Sequence, residues 1–180
     1  SQFYPPETLI PLGTSCQYHL LSIANEMQSI HFAKHYFFQV VSNVLGTKVD
    51  IKTICAHAHD LGVPVLVDGS QSAVHMPVDV QDLDADFFAI TGHKLYGPSG
   101  SGAIYVKPER MSEMRPFLGG GDMIKEVTKD NVIYNDPPMK FEAGTPGIVS
   151  TIGFGVALDY MMELGIDAIV NHENGLRDYA

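Results

Sequence analysis

The sequence predicts an α/β fold with three layers, αβα, around a mostly parallel sheet, and three observations carry that reading. The runs "YFFQVVS" (36–42), "VPVLVD" (63–68) and "DFFAIT" (86–91) have the length and the β-branched or aromatic content of strands. Between the first two, "VDIKTICAHAHDLG" repeats Ile51, Ile54, Cys55, Ala58 and Leu61 at helical spacing, with Gly62 as a stop. Strands that are apolar throughout, alternating with helix, belong to a parallel sheet covered on both faces.

The remaining elements follow in chain order. "FYPPETLIPLG" (3–13) holds three prolines and no clear period, so no element is predicted there. "YHLLSIANEMQSI" (18–30) predicts one amphipathic helix. After the helix over 49–62 and the strands over 63–68 and 86–91, "GAIYVK" (102–107) is a further strand. "PERMSEM" (108–114) opens with Pro108 near the first helical position and predicts a short helix. Residues 115–146 read as irregular and rich in Gly and Pro, and a long structureless loop in a compact domain is usually functional. The stretch from Gly147 onward predicts two helices meeting near Gly165.

Composition narrows the function. The 180 residues are 45% hydrophobic with a formal charge of −10, enough apolar material for a core and the wrong sign for a phosphate-neutralising surface. Nucleic acid is therefore not an expected partner. Cys16 and Cys55 do not make a disulfide framework. No run of about 18 apolar residues suggests a membrane span, and the first residues lack the pattern of a signal peptide. The expectation is a protein of a reducing compartment, the cytoplasm.

The chemistry gathers at one end of the predicted sheet. In open α/β sheets, ligands collect outside the carboxyl ends of the strands. Asp68 ends "VPVLVD", Gln71 lies three residues on, and Lys94 follows "DFFAIT" by three, in "TGHKLYGPSGSG". An amine and a carboxylate at strand ends suit Schiff-base chemistry with pyridoxal phosphate, which needs a lysine for its aldehyde and an acid beneath its ring nitrogen. A solvated or capping pair is the plainer alternative from spacing alone.

The string "VLVDGSQSAVHMPVDVQDLDADFFAITGHKLYGPSGSGAIYVK", together with "VSNVLGT", "GGGDMI" and "FEAGTP", closely resembles the class V aminotransferase superfamily of fold-type I pyridoxal-phosphate enzymes. Within it, the SufS-type cysteine desulfurases and selenocysteine lyases match best, over roughly residues 36–180. The resemblance implies the large domain of such an enzyme over residues 31–180, with 1–30 of unclear match and the small C-terminal domain absent. It implies conversion of L-cysteine to L-alanine, with sulfur passed to an enzyme cysteine as persulfide for iron–sulfur cluster assembly. L-Selenocysteine as substrate, another class V activity, or a non-catalytic remnant are the alternatives. It also implies a sulfur-acceptor protein and a homodimer.

By the same resemblance, Lys94 holds the cofactor covalently and moves the substrate's α-proton. Asp68 pairs with the pyridinium nitrogen and Gln71 with the phenolic oxygen. Thr91 and His93 contact the phosphate, and Asn43 contacts the ring side and the substrate carboxylate. Gly144 and Thr145 reach the phosphate of the partner subunit. His19 and His31 take no role. The family's sulfur-accepting cysteine and substrate-clamping arginine lie further downstream, so Arg177 is not that arginine.

Other groups read as structural. Cys55 falls on the apolar stripe of a helix, a buried position rather than a nucleophile's, and Cys16 has no pattern marking a lowered pKa. His57 and His59 are two apart, point in different directions on a helix, and with His75 read as surface histidines, so no metal is expected. Asp79, Asp82, Asp84 and Asp86 read as a solvated connection. "GPSGSG" fits neither a P-loop nor a nucleophile elbow, and the resemblance implies that Gly119–Gly121 form a loop near the active site.

Overall fold

The computed structural model describes residues 9–12 and 36–180; the helix predicted over 18–30 lies outside them. A five-stranded sheet runs in the order β1 (Leu9–Leu12), β5 (Gly102–Val106), β4 (Phe87–Thr91), β3 (Val65–Asp68), β2 (Tyr36–Gln39). Strands β2, β3 and β4 pair in parallel, while β5 is antiparallel to both β4 and β1. Only β5 is reversed, so the sheet is mostly parallel in direction.

Both faces of the sheet are covered, as continuous apolar strands require. On one face Val65, Val67, Phe88 and Tyr105 pack with Ile51, Cys55 and Ala58 of α1 (Ile51–Asp60). On the other, Leu66, Phe87, Ala89, Ile104 and Val106 pack with Met111 of α3 (Pro108–Glu113) and with Met114. The short α2 (Val80–Leu83) joins the first cluster through Val80. Phe154 and Met161 of α4 (Ile148–Leu164) and Ile169 of α5 (Ile166–Tyr179) form a third cluster with Val74 and Leu95. Ile90 borders the first and third clusters and joins them.

Local chemistry sets the helix limits. Asp50 caps α1, accepting from the Thr53 N–H at 3.2 Å and the Thr53 hydroxyl at 2.8 Å. The helix ends where the Gly62 N–H donates to the His59 carbonyl at φ +69°. Leu61, placed by spacing on the apolar stripe, is past the last turn and exposed. Pro108 opens α3 as expected, and Gly165, at φ +78°, separates α4 from α5.

Two elements depart from the sequence reading. The proline-rich start contributes β1, which among the described residues pairs only with β5. An edge strand tolerates Pro11 because one side of its ladder needs no N–H donor. The stretch 115–146, read as irregular, contains a hairpin of β6 (Ile124–Val127) and β7 (Val132–Tyr134), then a 3₁₀ turn over Met139–Phe141. Every residue of the hairpin strands is exposed, so no buried face marked them in the sequence.

The acidic cluster is also corrected. Asp86, expected in solvent, is 1% exposed and accepts from the Val65 N–H at 2.8 Å and Arg110 Nε at 2.9 Å. His59 is not a free surface histidine either. Its Nε2 lies 2.8 Å from Asp86 and its Nδ1 3.0 Å from Asp84, which also pairs with Lys107. The cluster pins the starts of β3 and β4 to α1 and α3.

Burial raises the Asp86 carboxyl, but hydrogen bonds from His59, Val65 and Arg110, with the charge of Lys107, outweigh it and hold the group below its ordinary 3.8. A carboxyl depressed in the folded state stabilises the fold above its unfolded pKa, and that contribution is lost as pH falls through the folded value. Thermal melts should therefore be flat from neutral pH down to about 4 and fall steeply below it. Asp86→Ala, which strands Arg110 and the Val65 N–H, should cost about 3 kcal/mol by urea unfolding at neutral pH. A loss within about 0.5 kcal/mol, the range of an ordinary surface substitution, would contradict this account.

Cys55 sits within the same neighbourhood, fully buried in α1. Burial, then the charges of Asp86 and Asp84, push its thiol up to about 11. The thiol is thus protonated at neutral pH, and no reagent reaches it. Iodoacetamide treatment of the native chain followed by peptide mapping should leave Cys55 unmodified, with full alkylation only in urea.

Candidate active site

The site grows from the carboxyl ends of β3 and β4. Their register sets Asp68 opposite Ala89, and the Gly69 N–H donates to the Ala89 carbonyl at 2.9 Å. The chain then turns sharply. Asp68 Oδ1 accepts from the Ser70 N–H at 2.9 Å, and the Ala73 N–H donates to the Gly69 carbonyl at 2.9 Å. Gly69 has no substitute in this turn, since an added Cβ would lie 2.1 Å from the Phe88 ring. Gln71 projects from the turn, and its amide donates to Asn43 Oδ1, in the loop after β2. The structure thus brings Asn43, Gln71 and Asp68 to one end of neighbouring strands.

Lys94 enters from β4. Thr91 is buried at the strand end, and its hydroxyl lies 2.9 Å from Nδ1 of the exposed His93. The chain closes a 3₁₀ turn over Gly92–Lys94, held by the Gly92 N–H donating to the Ser101 carbonyl at 2.7 Å. A Cβ on Gly92 would meet Ser101 Oγ at 2.0 Å, so the two segments approach as closely as backbone allows. Leu95, 2% exposed, anchors the turn in the cluster around Phe154. The result is a half-buried lysine whose amine makes no hydrogen bond or ion pair among the described residues. Oδ2 of the half-buried Asp68 is likewise without a partner there.

Residues not singled out in the sequence hold this turn. Ser101, 3% exposed, donates its hydroxyl to the Pro98 carbonyl at 2.7 Å. Tyr96 takes φ +60°, unusual for a residue with a Cβ, and sets its ring edge-on to Tyr160 of α4 at 6.3 Å between centroids. A tyrosine just before Gly97–Pro98 was the available signal for a strained turn.

Gly144 and Thr145 lie in a second assembly. The Gly144 N–H donates to the Gly121 carbonyl at 3.0 Å, so the triple-glycine loop and "FEAGTP" form one unit. No hydrogen bond among the described residues joins Gly144 or Thr145 to Asp68 or Lys94. Glu142, in the same segment, has its carboxyl raised by burial.

The aminotransferase class-V family model matches residues 17–180. A cysteine desulfurase of Dickeya dadantii is 53% identical over 141 residues, which are 78% of this chain and 34% of that protein. The crystal structure of the cysteine desulfurase CsdA from Escherichia coli superposes with a TM-score of 0.73 at 44% identity, covering 75% of this chain and 34% of that one. The apo structure of a cysteine desulfurase from Thermococcus onnurineus gives 0.78 at 36% identity, covering 87% and 40%. The chain spans about a third of the length of the curated relatives it matches. The family match along nearly the whole sequence and the likeness in fold agree: the chain belongs to the aminotransferase class-V family, enzymes that use pyridoxal phosphate.

Proposed function

We propose that this chain is the cofactor-binding large domain, residues 31–180, of a cytoplasmic cysteine desulfurase of the SufS type. The overall reaction converts L-cysteine and an enzyme thiol into L-alanine and an enzyme persulfide, whose sulfur goes to an acceptor protein for iron–sulfur cluster assembly. One observation carries the reading. An unpartnered amine, Lys94, and a carboxylate with a free oxygen, Asp68, stand at the same end of adjacent parallel strands. They lie inside a segment 53% identical to a cysteine desulfurase.

The donor set fits pyridoxal phosphate: an amine for an aldehyde, a carboxylate for a protonated ring nitrogen, an amide, and a hydroxyl–imidazole pair for an anion. Bound there, the cofactor supplies an electron sink for negative charge at the substrate's α-carbon. Lys94 Nζ would hold the aldehyde and is the amine placed to move the substrate's α-proton. Asp68 would keep the ring nitrogen protonated. Gln71, steadied by Asn43, would orient the phenolic oxygen, and Asn43 would contact the substrate carboxylate. Thr91 and His93 would hold the phosphate. Arg177, exposed on α5 and paired with Asp178 and Asn174, is given no substrate role. Cys55, buried and protonated, is not the sulfur acceptor, so another cysteine fills that role.

Reduction with borohydride after mixing with pyridoxal phosphate should label a single peptide, the one containing Lys94. Alanine formed from L-cysteine by the loaded chain, with an added small thiol to accept the sulfur, should fall by about two orders of magnitude or more in Lys94→Ala, the usual loss when a proton-transfer group is removed. Labelling of a different lysine, or alanine formation indifferent to Lys94, would overturn the assignment.

The homodimer belongs to the same reading. Directly after Gly144 and Thr145, α4 presents Val149, Ile152, Val156 and Tyr160 on one stripe, 85%, 64%, 63% and 52% exposed. Such an apolar stripe marks an interaction surface, and a two-fold pair would let each subunit's Gly144–Thr145 loop serve the other. Sedimentation equilibrium should show dimers at micromolar concentration. Val156→Glu should weaken the dimer by roughly tenfold or more, about 1.4 kcal/mol.

A further inference from the structure

A cavity of about 590 Å³ lies away from Lys94, between α3, β7 and the turn that follows it. Val106 pairs with Phe87 at the start of β4, so α3 leaves the sheet at the end opposite Lys94. The walls are largely apolar, from Pro108, Met111, Pro137 and the Tyr134 ring, with Ser112, Asn135, Asp136 and Lys140 as polar points. The half-buried Lys140 donates to the Met111 carbonyl at 3.3 Å and rests 5.2 Å from the Phe141 ring centroid. No carboxylate among the described residues pairs with it. Burial without a counter-ion lowers its pKa from the ordinary 10.5, the mark of a cation held at a cost.

A concave, largely apolar cavity with a few polar groups, among them one cation, has the form of a small-molecule site. We propose that this cavity binds a small monocarboxylate with an apolar body, its carboxylate on Lys140 and its body against Met111, Pro108 and Pro137. Lys140 is the one cation in the lining and pairs with no carboxylate among the described residues. Asp136 on the same wall and the chain's net charge of −10 disfavour a dianion such as phosphate. The apolar walls disfavour a carboxylate without a hydrocarbon body.

Benzoate titrated into the ¹⁵N-labelled 180-residue chain tests this. Saturable shifts should appear at the amides of Met111, Ser112, Asn135 and Lys140 and not around Lys94. Lys140→Met should weaken benzoate at least tenfold, while Lys140→Arg should stay within about threefold of the original affinity. Benzyl alcohol and inorganic phosphate should each bind at least tenfold more weakly than benzoate. Ser112→Glu, on an exposed face of α3, sets a competing carboxylate at the cavity and should abolish binding without disturbing the core. That variant decides the matter if Lys140→Met fails to fold. Shifts centred elsewhere, phosphate binding as tightly as benzoate, or affinity unchanged in both Lys140→Met and Ser112→Glu would overturn the proposal.

Discussion

The parallel pairing of β3 with β4 sets Leu66 opposite Phe87, Val67 opposite Phe88 and Asp68 opposite Ala89. Val65, Val67 and Ala89 are fully buried, and Leu66, Phe87 and Phe88 nearly so, because apolar side chains cover both faces. A slip of one residue would exchange Val67 with Asp68 between the faces and drive a carboxylate into the core. Each fully buried aliphatic or aromatic side chain contributes roughly 1.5–3 kcal/mol, so this register is held against a penalty of several. The site depends on it: Asp68 and Lys94 lie at the same end of the sheet because their strands cannot slide.

The two ends of the sheet treat charge in opposite ways. At the start of β3 and β4, the buried Asp86 is surrounded by Val65, His59, Arg110 and Lys107, and the cluster is close to fully satisfied. At the carboxyl ends, Asp68 and Lys94 are left with unused hydrogen-bonding capacity. A satisfied buried network fixes geometry, whereas unsatisfied groups beside solvent are available to a ligand. The same residue types therefore hold the fold at one end and, in the proposed reading, are left for a cofactor at the other. Tyr96 and Gly92 belong to this division, keeping the Lys94 turn tight against Ser101 and α4 while its amine stays free.

The chain's own residues determined the strands over 65–68 and 87–91, the helix after Asp50, Pro108 at the head of α3 and the break at Gly165, because each rests on local spacing or a backbone preference. The alignment of Asp68, Gln71 and Lys94 was legible for the same reason, as each sits a fixed number of residues past a strand that its own composition announces. Only the tertiary structure decided that Pro11 lies in an edge strand of the described sheet, that Asp86 is buried, that His59 bridges two aspartates, that Asn43 steadies Gln71, and that Lys140 lines a cavity while pairing with no carboxylate among the described residues. Those facts depend on segments that are distant in sequence. Whether an aspartate is solvated or buried, or a lysine paired or bare, is settled by what packs beside it, and no period or propensity within its own segment records that neighbour.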